Sequence, residues 1–219
     1  MLKDVSLRVR EGAFLGIIGP SGSGKTTLLK VLAGFLKPKR GALSVLGQPV
    51  HGMRRALRRR LGYIPQQLGL VRGMSALDNV LMGSLGRVGS VRSLLGLMPA
   101  EERVAALEWL RRLGIADKAE EKAFRLSGGQ RQRVAIARTL LQRPGIVFAD
   151  EFVSDLDMTT AQEIVRLARQ IGEEQGITWV CTMHEPGLVA QFATEVVVVR
   201  DGRVETVASV GPDMAMVAE

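Results

Sequence analysis

At 219 residues the chain is long enough to bury one sizeable core, and no linker composition divides it. Hydrophobic residues make up 46% and charged ones 24%, an ordinary globular balance, and aliphatic runs such as 196–199 are far too short to span a bilayer. A formal charge of +8 admits nucleic acid or an anionic membrane surface, but only 4% of residues are aromatic and none interrupts the arginine clusters at 54–55, 58–60 and 111–112, so no base-stacking platform is expected. No signal-peptide pattern opens the chain, and a cytosolic location is expected. The single cysteine, Cys181, lies in an apolar run without a partner for a disulfide or metal framework and reads as a buried thiol.

Residues 2–10 alternate apolar and polar side chains and predict a half-buried strand. Glu11-Gly12 then turns the chain into a short apolar strand, 13–18. The next nine residues, Gly19, Pro20, Ser21, Gly22, Ser23, Gly24, Lys25, Thr26 and Thr27, fit G-x-x-x-x-G-K-[ST], and a helical run follows at 28–33. A strand before and a helix after are the context this motif requires. Its glycines let backbone N–H groups curl around a phosphate, and the helix beginning at Lys25 aims its positive end at the same anion. Lys25 can reach the β- and γ-phosphates, and the Thr26 hydroxyl can ligate Mg²⁺. A Gly/Ser turn that binds nothing would need neither the lysine nor the hydroxyl.

Residues 42–46 predict a further strand, and 51–60 a basic helix in which His51 has no second ligand and reads as a surface residue. The strand 61–64 ends at Pro65-Gln66-Gln67, where Gln66 can offer an amide oxygen to Mg²⁺ or position water. From 74 to about 113 the pattern is helical, broken by a Gly/Ser-bearing insert at 83–99. Its clearest segment, 100–113, carries Val104, Leu107, Trp109, Leu110 and Leu113 as an expected core stripe. Ser127-Gly128-Gly129-Gln130 opens a helix over 131–142 and forms a second potential anion cradle, with Ser127 as its cap.

The fully apolar strand 146–149 suits the centre of a parallel sheet and ends in Asp150 and Glu151. Asp150 can bind Mg²⁺; Glu151 can orient or deprotonate the water that attacks a γ-phosphate. A turn at 154–157 precedes a predicted helix over 159–173. The strand 177–182 ends at Met183-His184, placing His184 to hydrogen-bond the γ-phosphate. Residues 195–199 and 203–207 read as a hairpin around Asp201-Gly202, and the tail from 211 carries no signal.

Taken together these motifs resemble the ATP-binding subunit of an ABC transporter. GPSGSGKT (19–26) is similar to the Walker A loop, Gln66 to the Q-loop glutamine, LSGGQ (126–130) to the signature, IVFADE (146–151) to Walker B with its glutamate, SDLD (154–157) to the D-loop and His184 to the switch histidine. The resemblance implies a single α/β P-loop NTPase domain over 1–219, with a parallel central sheet, an antiparallel β edge and a helical subdomain near 67–140. It implies ATP with Mg²⁺ bound by 19–27, Gln66 and Asp150, and a head-to-tail homodimer in which Ser127, Gly128, Gly129, Gln130 and Asp157 complete the partner's site. Membrane permease subunits and, indirectly, a solute-binding protein are the implied partners, at the cytoplasmic face of the membrane; nucleic acid is not.

The insert around 83–96 and the segments 77–81 and 149–153 resemble the ATPases of phosphonate importers, although importers of phosphate, phosphite or another small solute read similarly. Two features depart from the family pattern. Phe152 stands where proline usually follows the glutamate, and the first strand with its adenine-stacking aromatic is expected to be missing before residue 2, with weaker ATP binding as the result. A non-transport ABC ATPase or an ATP-dependent interaction module remain as alternatives.

Overall fold

The structure is a computed structural model that describes residues 2–50, 53–88 and 98–209, the side chains of 206–209 excepted. In chain order its elements are β1 (Phe14–Ile18), α1 (Lys25–Leu32), β2 (Ser44–Val45), β3 (Gln48–Pro49), α2 (Arg55–Arg58), β4 (Leu61–Ile64), α3 (Ala76–Leu81), α4 (Ala100–Arg112), α5 (Gly128–Leu141), β5 (Ile146–Ala149), α6 (Met158–Gln175), β6 (Thr178–Thr182), α7 (Pro186–Phe192), β7 (Glu195–Arg200) and β8 (Arg203–Ser209).

Six strands form one sheet in the order β4-β5-β6-β1-β7-β8. The first five are parallel, and β8 pairs antiparallel with β7 as the edge. Every residue of β5 and β6 is buried, as strands covered on both faces must be. Their side chains alternate between two cores. Val147, Ala149, Trp179 and Cys181 join the helices α3 to α7 on one face, while Ile146, Phe148 and Val180 join α1 and the β2–β3 hairpin on the other. The period of two along each strand thus distributes their apolar residues between the two cores. Both hairpins turn through two left-handed residues, Leu46-Gly47 and Asp201-Gly202, the twist that suits a two-residue connection.

Several expectations change. Residues 2–10 keep the expected alternation, and Leu2, Val5, Leu7 and Val9 pack on the second core, but among the described residues they pair with no strand. Alternation records which side of an extended chain is buried, not whether a neighbour completes the ladder. The strand expected at 42–46 shortens to β2, and its partner β3 was not foreseen. The basic helix over 51–60 shrinks to α2, with His51 outside the described residues. On α4, Ala106 and Leu110 are buried, and Leu113 just beyond them, whereas Val104 and Leu107 are exposed at 67% and 37%. Core contact follows the 106–110–113 line, and Val104 falls on the opposite side of the helix. Most of the insert, 89–97, and the tail from 210 also lie outside the described residues. The helix α7 had no sequence expectation.

Candidate nucleotide site

The site is assembled where the carboxyl ends of β1, β4, β5 and β6 meet. β1 runs into the 19–27 loop, which is left-handed at Gly19, Gly22 and Gly24. At Gly19 the requirement is absolute: a Cβ there would lie 2.0 Å from the Val199 carbonyl oxygen. Pro20, Ser21, Gly22 and Thr27 are exposed, leaving one side of the loop open to a ligand. Lys25 opens α1, is only 4% exposed, and its ammonium donates to the carbonyls of Gly19 at 2.8 Å and Pro20 at 3.0 Å. Its charge therefore lies across the loop, where phosphate oxygens would meet it. The Ser23 hydroxyl is buried with no hydrogen-bond partner, a polar atom that a bound anion would satisfy.

Beside the loop, Thr26 donates from Oγ1 to Asp150 Oδ1 at 3.0 Å. A hydroxyl and a carboxylate in contact are a hard-oxygen pair of the kind Mg²⁺ takes along with phosphate oxygens, so the residues present fit that ion. Asp150 is 4% exposed, and its Oδ1 also accepts from Thr182 Oγ1 at 2.9 Å. Tyr63, on β4, reaches Asp150 Oδ2 at 3.5 Å. Burial first, and the Asp150 charge second, push the Tyr63 phenol up to about 12.

Glu151 follows, with φ of 46°, a left-handed conformation seldom adopted by a residue with a side chain. Its carboxylate is held from two sides. Gln66 donates from Nε2 to Oε2 at 2.8 Å, and His184 Nε2 lies 2.5 Å from Oε1. Residues 66, 151 and 184, spread over three strand ends, thus converge on one carboxylate.

The second cradle forms as a capping box. Ser127 Oγ accepts from the Gln130 amide at 3.2 Å, and Gln130 Oε1 accepts from the Ser127 amide at 2.9 Å. Ser127 is exposed, while Gly128, Gly129 and Gln130 are half-buried against the start of α6. Asp157 caps α6 by accepting from the Thr160 amide at 3.0 Å, and these bonds hold its carboxyl below the usual carboxylate range. Among the described residues no hydrogen bond links Ser127–Gln130 or Asp157 to the 19–27 loop or to Glu151. Tyr63 and Thr182 were not singled out from sequence. The available signal was only a hydroxyl near the end of a predicted strand; that these strands flank the one bearing Asp150 is known from the sheet order.

A family model described as ABC transporter matches residues 2–154, the stretch that runs from the first core contacts through the loop, Gln66, the Ser127 cradle and both carboxylates. The chain belongs to the ABC transporter family. It is an ATPase of that family. A Bdellovibrio bacteriovorus protein named phosphonates import ATP-binding protein PhnC is 42% identical over 208 residues, covering 93% of this chain and 80% of that one. A Thiobacillus denitrificans protein of the same name is 41% identical over 204 residues, covering 93% and 79%. Among solved structures, the dimeric post-hydrolysis state of the ATP-binding cassette MJ0796 bound to ADP and Pi is similar with a TM-score of 0.83 and 34% identity, covering 96% of this chain and 90% of that one. CbiO1 from Clostridium perfringens, described as part of the transporter complex cbiONQ, gives a TM-score of 0.83 at 28% identity, covering 95% and 81%. The α/β P-loop fold expected from the motifs is the fold this ABC ATPase has.

Proposed function

We propose that this ABC ATPase is the ATP-hydrolysing subunit of an importer for phosphonate or a related small anion, energising a separate membrane permease. The observation that supports hydrolysis is the convergence of Gln66 and His184 on the Glu151 carboxylate beside the phosphate loop. The solute assignment rests on the names of the relatives at about 40% identity.

In this reading the backbone amides of 19–27 and the Lys25 ammonium bind the β- and γ-phosphates of ATP. Thr26 and Asp150, with the Gln66 amide oxygen, would hold Mg²⁺, which when bound neutralises charge on the phosphate oxygens. Glu151 orients the attacking water and accepts its proton. His184 hydrogen-bonds the γ-phosphate and steadies Glu151. Ser127, Gly128, Gly129 and Gln130 lie exposed or half-buried at a helix N-terminus, and with Asp157 they complete the site of a second copy in a head-to-tail homodimer. Residues 67–140 act as a helical subdomain, and the groove between it and Gln66 receives the permease at the cytoplasmic face. A solute-binding protein would deliver the anion on the other side.

The test is steady-state hydrolysis of Mg·ATP by the purified chain and by Glu151→Gln. The substitution lowers turnover by ~10²–10⁴ while nucleotide binding persists; equal turnover in the two overturns the role of Glu151. Deleting the gene abolishes growth on an alkylphosphonate as sole phosphorus source and leaves growth on orthophosphate intact. Unimpaired growth on both overturns the solute assignment.

A further inference from the structure

We propose that Thr182 is a positioning residue of the ATPase reaction, its single hydroxyl setting the geometry of Asp150 and Glu151 together. The side chain is fully buried at the end of β6. Its Oγ1 donates to Asp150 Oδ1 at 2.9 Å and accepts from the Glu151 backbone amide at 2.8 Å. A hydroxyl has one proton to give, and here both its donor and an acceptor position are engaged by consecutive residues of the neighbouring strand end.

Each bond fixes something the chemistry needs. Without Thr182 the Asp150 carboxylate would be held only by Thr26 at Oδ1 and by the long 3.5 Å contact from Tyr63 at Oδ2, which leaves play about its χ2. Thr26 and Thr182 donate to the same Oδ1 from two elements, α1 and β6, and together with Tyr63 they fix the carboxylate plane. At Glu151 the amide bond anchors a backbone held at φ of 46°, a conformation its own side chain disfavours. Because that backbone aims the carboxylate, the Thr182 bond determines where Oε1 and Oε2 meet His184 and Gln66. Threonine suits the post because β-branching restricts χ1 in a strand, so the hydroxyl does not wander. The end of β6 thereby touches the site three times: at Asp150 Oδ1, at the Glu151 amide and, two residues on through His184, at Glu151 Oε1.

A merely structural threonine would tolerate an isosteric replacement that keeps its packing. Thr182→Val preserves shape and removes both hydrogen bonds; Thr182→Ser preserves the bonds and removes a methyl group. This inference rests on Asp150 and Glu151 acting as proposed above, which Glu151→Gln tests separately in the same assay. We expect Thr182→Val to lower kcat by about 10- to 100-fold, the scale of a small misplacement of catalytic groups. KM for Mg·ATP rises only by the Mg²⁺-linked share of binding that is lost, because the 19–27 loop is untouched, and Thr182→Ser restores at least half of the lost activity.

Binding of a fluorescent ATP analogue supplies a readout independent of turnover. In EDTA, Thr182→Val and the native chain bind alike; the gain in affinity on adding Mg²⁺ is reduced in the valine variant and returns in the serine one. Equal kcat and equal Mg²⁺-linked binding in Thr182→Val would overturn the proposal, as would a loss that serine does not relieve. If the valine variant fails to fold, Thr182→Cys, with a thiol that donates only weakly, serves for the same comparison.

Discussion

Cys181 has no exposed surface, and burial raises its thiol well above its ordinary pKa. The thiolate is the reactive form, so the native chain should be inert to a disulfide reagent at neutral pH and react only as fast as it opens. Full labelling in strong denaturant and negligible labelling without it is the expected result; rapid labelling of native protein would refute the burial. Motif residues such as Lys25, Thr26, Asp150 and Glu151 could be read because short spacings carried them, as could the isolated histidine at the end of an apolar run. Thr182 and Tyr63 could not. Their partner, Asp150, lies 32 residues before Thr182 and 87 after Tyr63, and a strand-end hydroxyl is unremarkable until the sheet order sets it beside a carboxylate. Asn79 is a further case: fully buried, it bonds both the N–H and the carbonyl of Val71 and the Ser75 carbonyl, closing the loop before α3. Nothing in its local pattern announces that task.

At the scale of elements, helix approach and helix capping make separate predictions. Gly83, in the 3₁₀ turn after α3, lies so near α5 that a Cβ would sit 2.0 Å from the Arg138 carbonyl oxygen. Gly83→Ala forces the two apart and should cost about 1–3 kcal/mol, read from the denaturation midpoint at unchanged slope. The Asp157 cap makes α6 sensitive to acid. Its folded pKa is depressed below 3.8, so its contribution is present above that value and fades as pH falls through and below it. Asp157→Asn keeps a capping oxygen that does not titrate, and thermal melts should show less loss below pH ~4 than in the native chain. The strands of the sheet were legible because apolar runs of four or five residues between turn signals leave little choice. Residues 2–10 and the face of α4 were not: pairing depends on a neighbour and burial on which side another helix arrives, and neither is a local property.

For the whole molecule, the order β4-β5-β6-β1 places the 19–27 loop, Gln66, Asp150–Glu151 and His184 at the same edge, although 165 positions separate the ends of that set. The apolar strands made a parallel sheet legible, but not the order in which they lie. The Ser127 cradle stays apart from this edge among the described hydrogen bonds, so the proposed dimer predicts a change of mass. In Glu151→Gln, where ATP persists, added nucleotide should double the mass seen by light scattering, and Ser127→Asp in that background should abolish the shift. A constant mass in the presence of bound ATP would count against the head-to-tail reading.

That last substitution separates two duties of one hydroxyl. Ser127 gives its lone pair to its own helix, by accepting from the Gln130 amide, and no acceptor for its proton is found among the described residues. Aspartate would cap the helix as well as serine does, yet it has no proton to offer and, in the proposed dimer, would turn a negative charge toward the phosphates held by the other copy. A stable helix start therefore accepts either residue at position 127, and only the proposed pairing of subunits tells them apart. Serine meets both demands: its internal duty as an acceptor leaves its proton available to a second copy in that dimer.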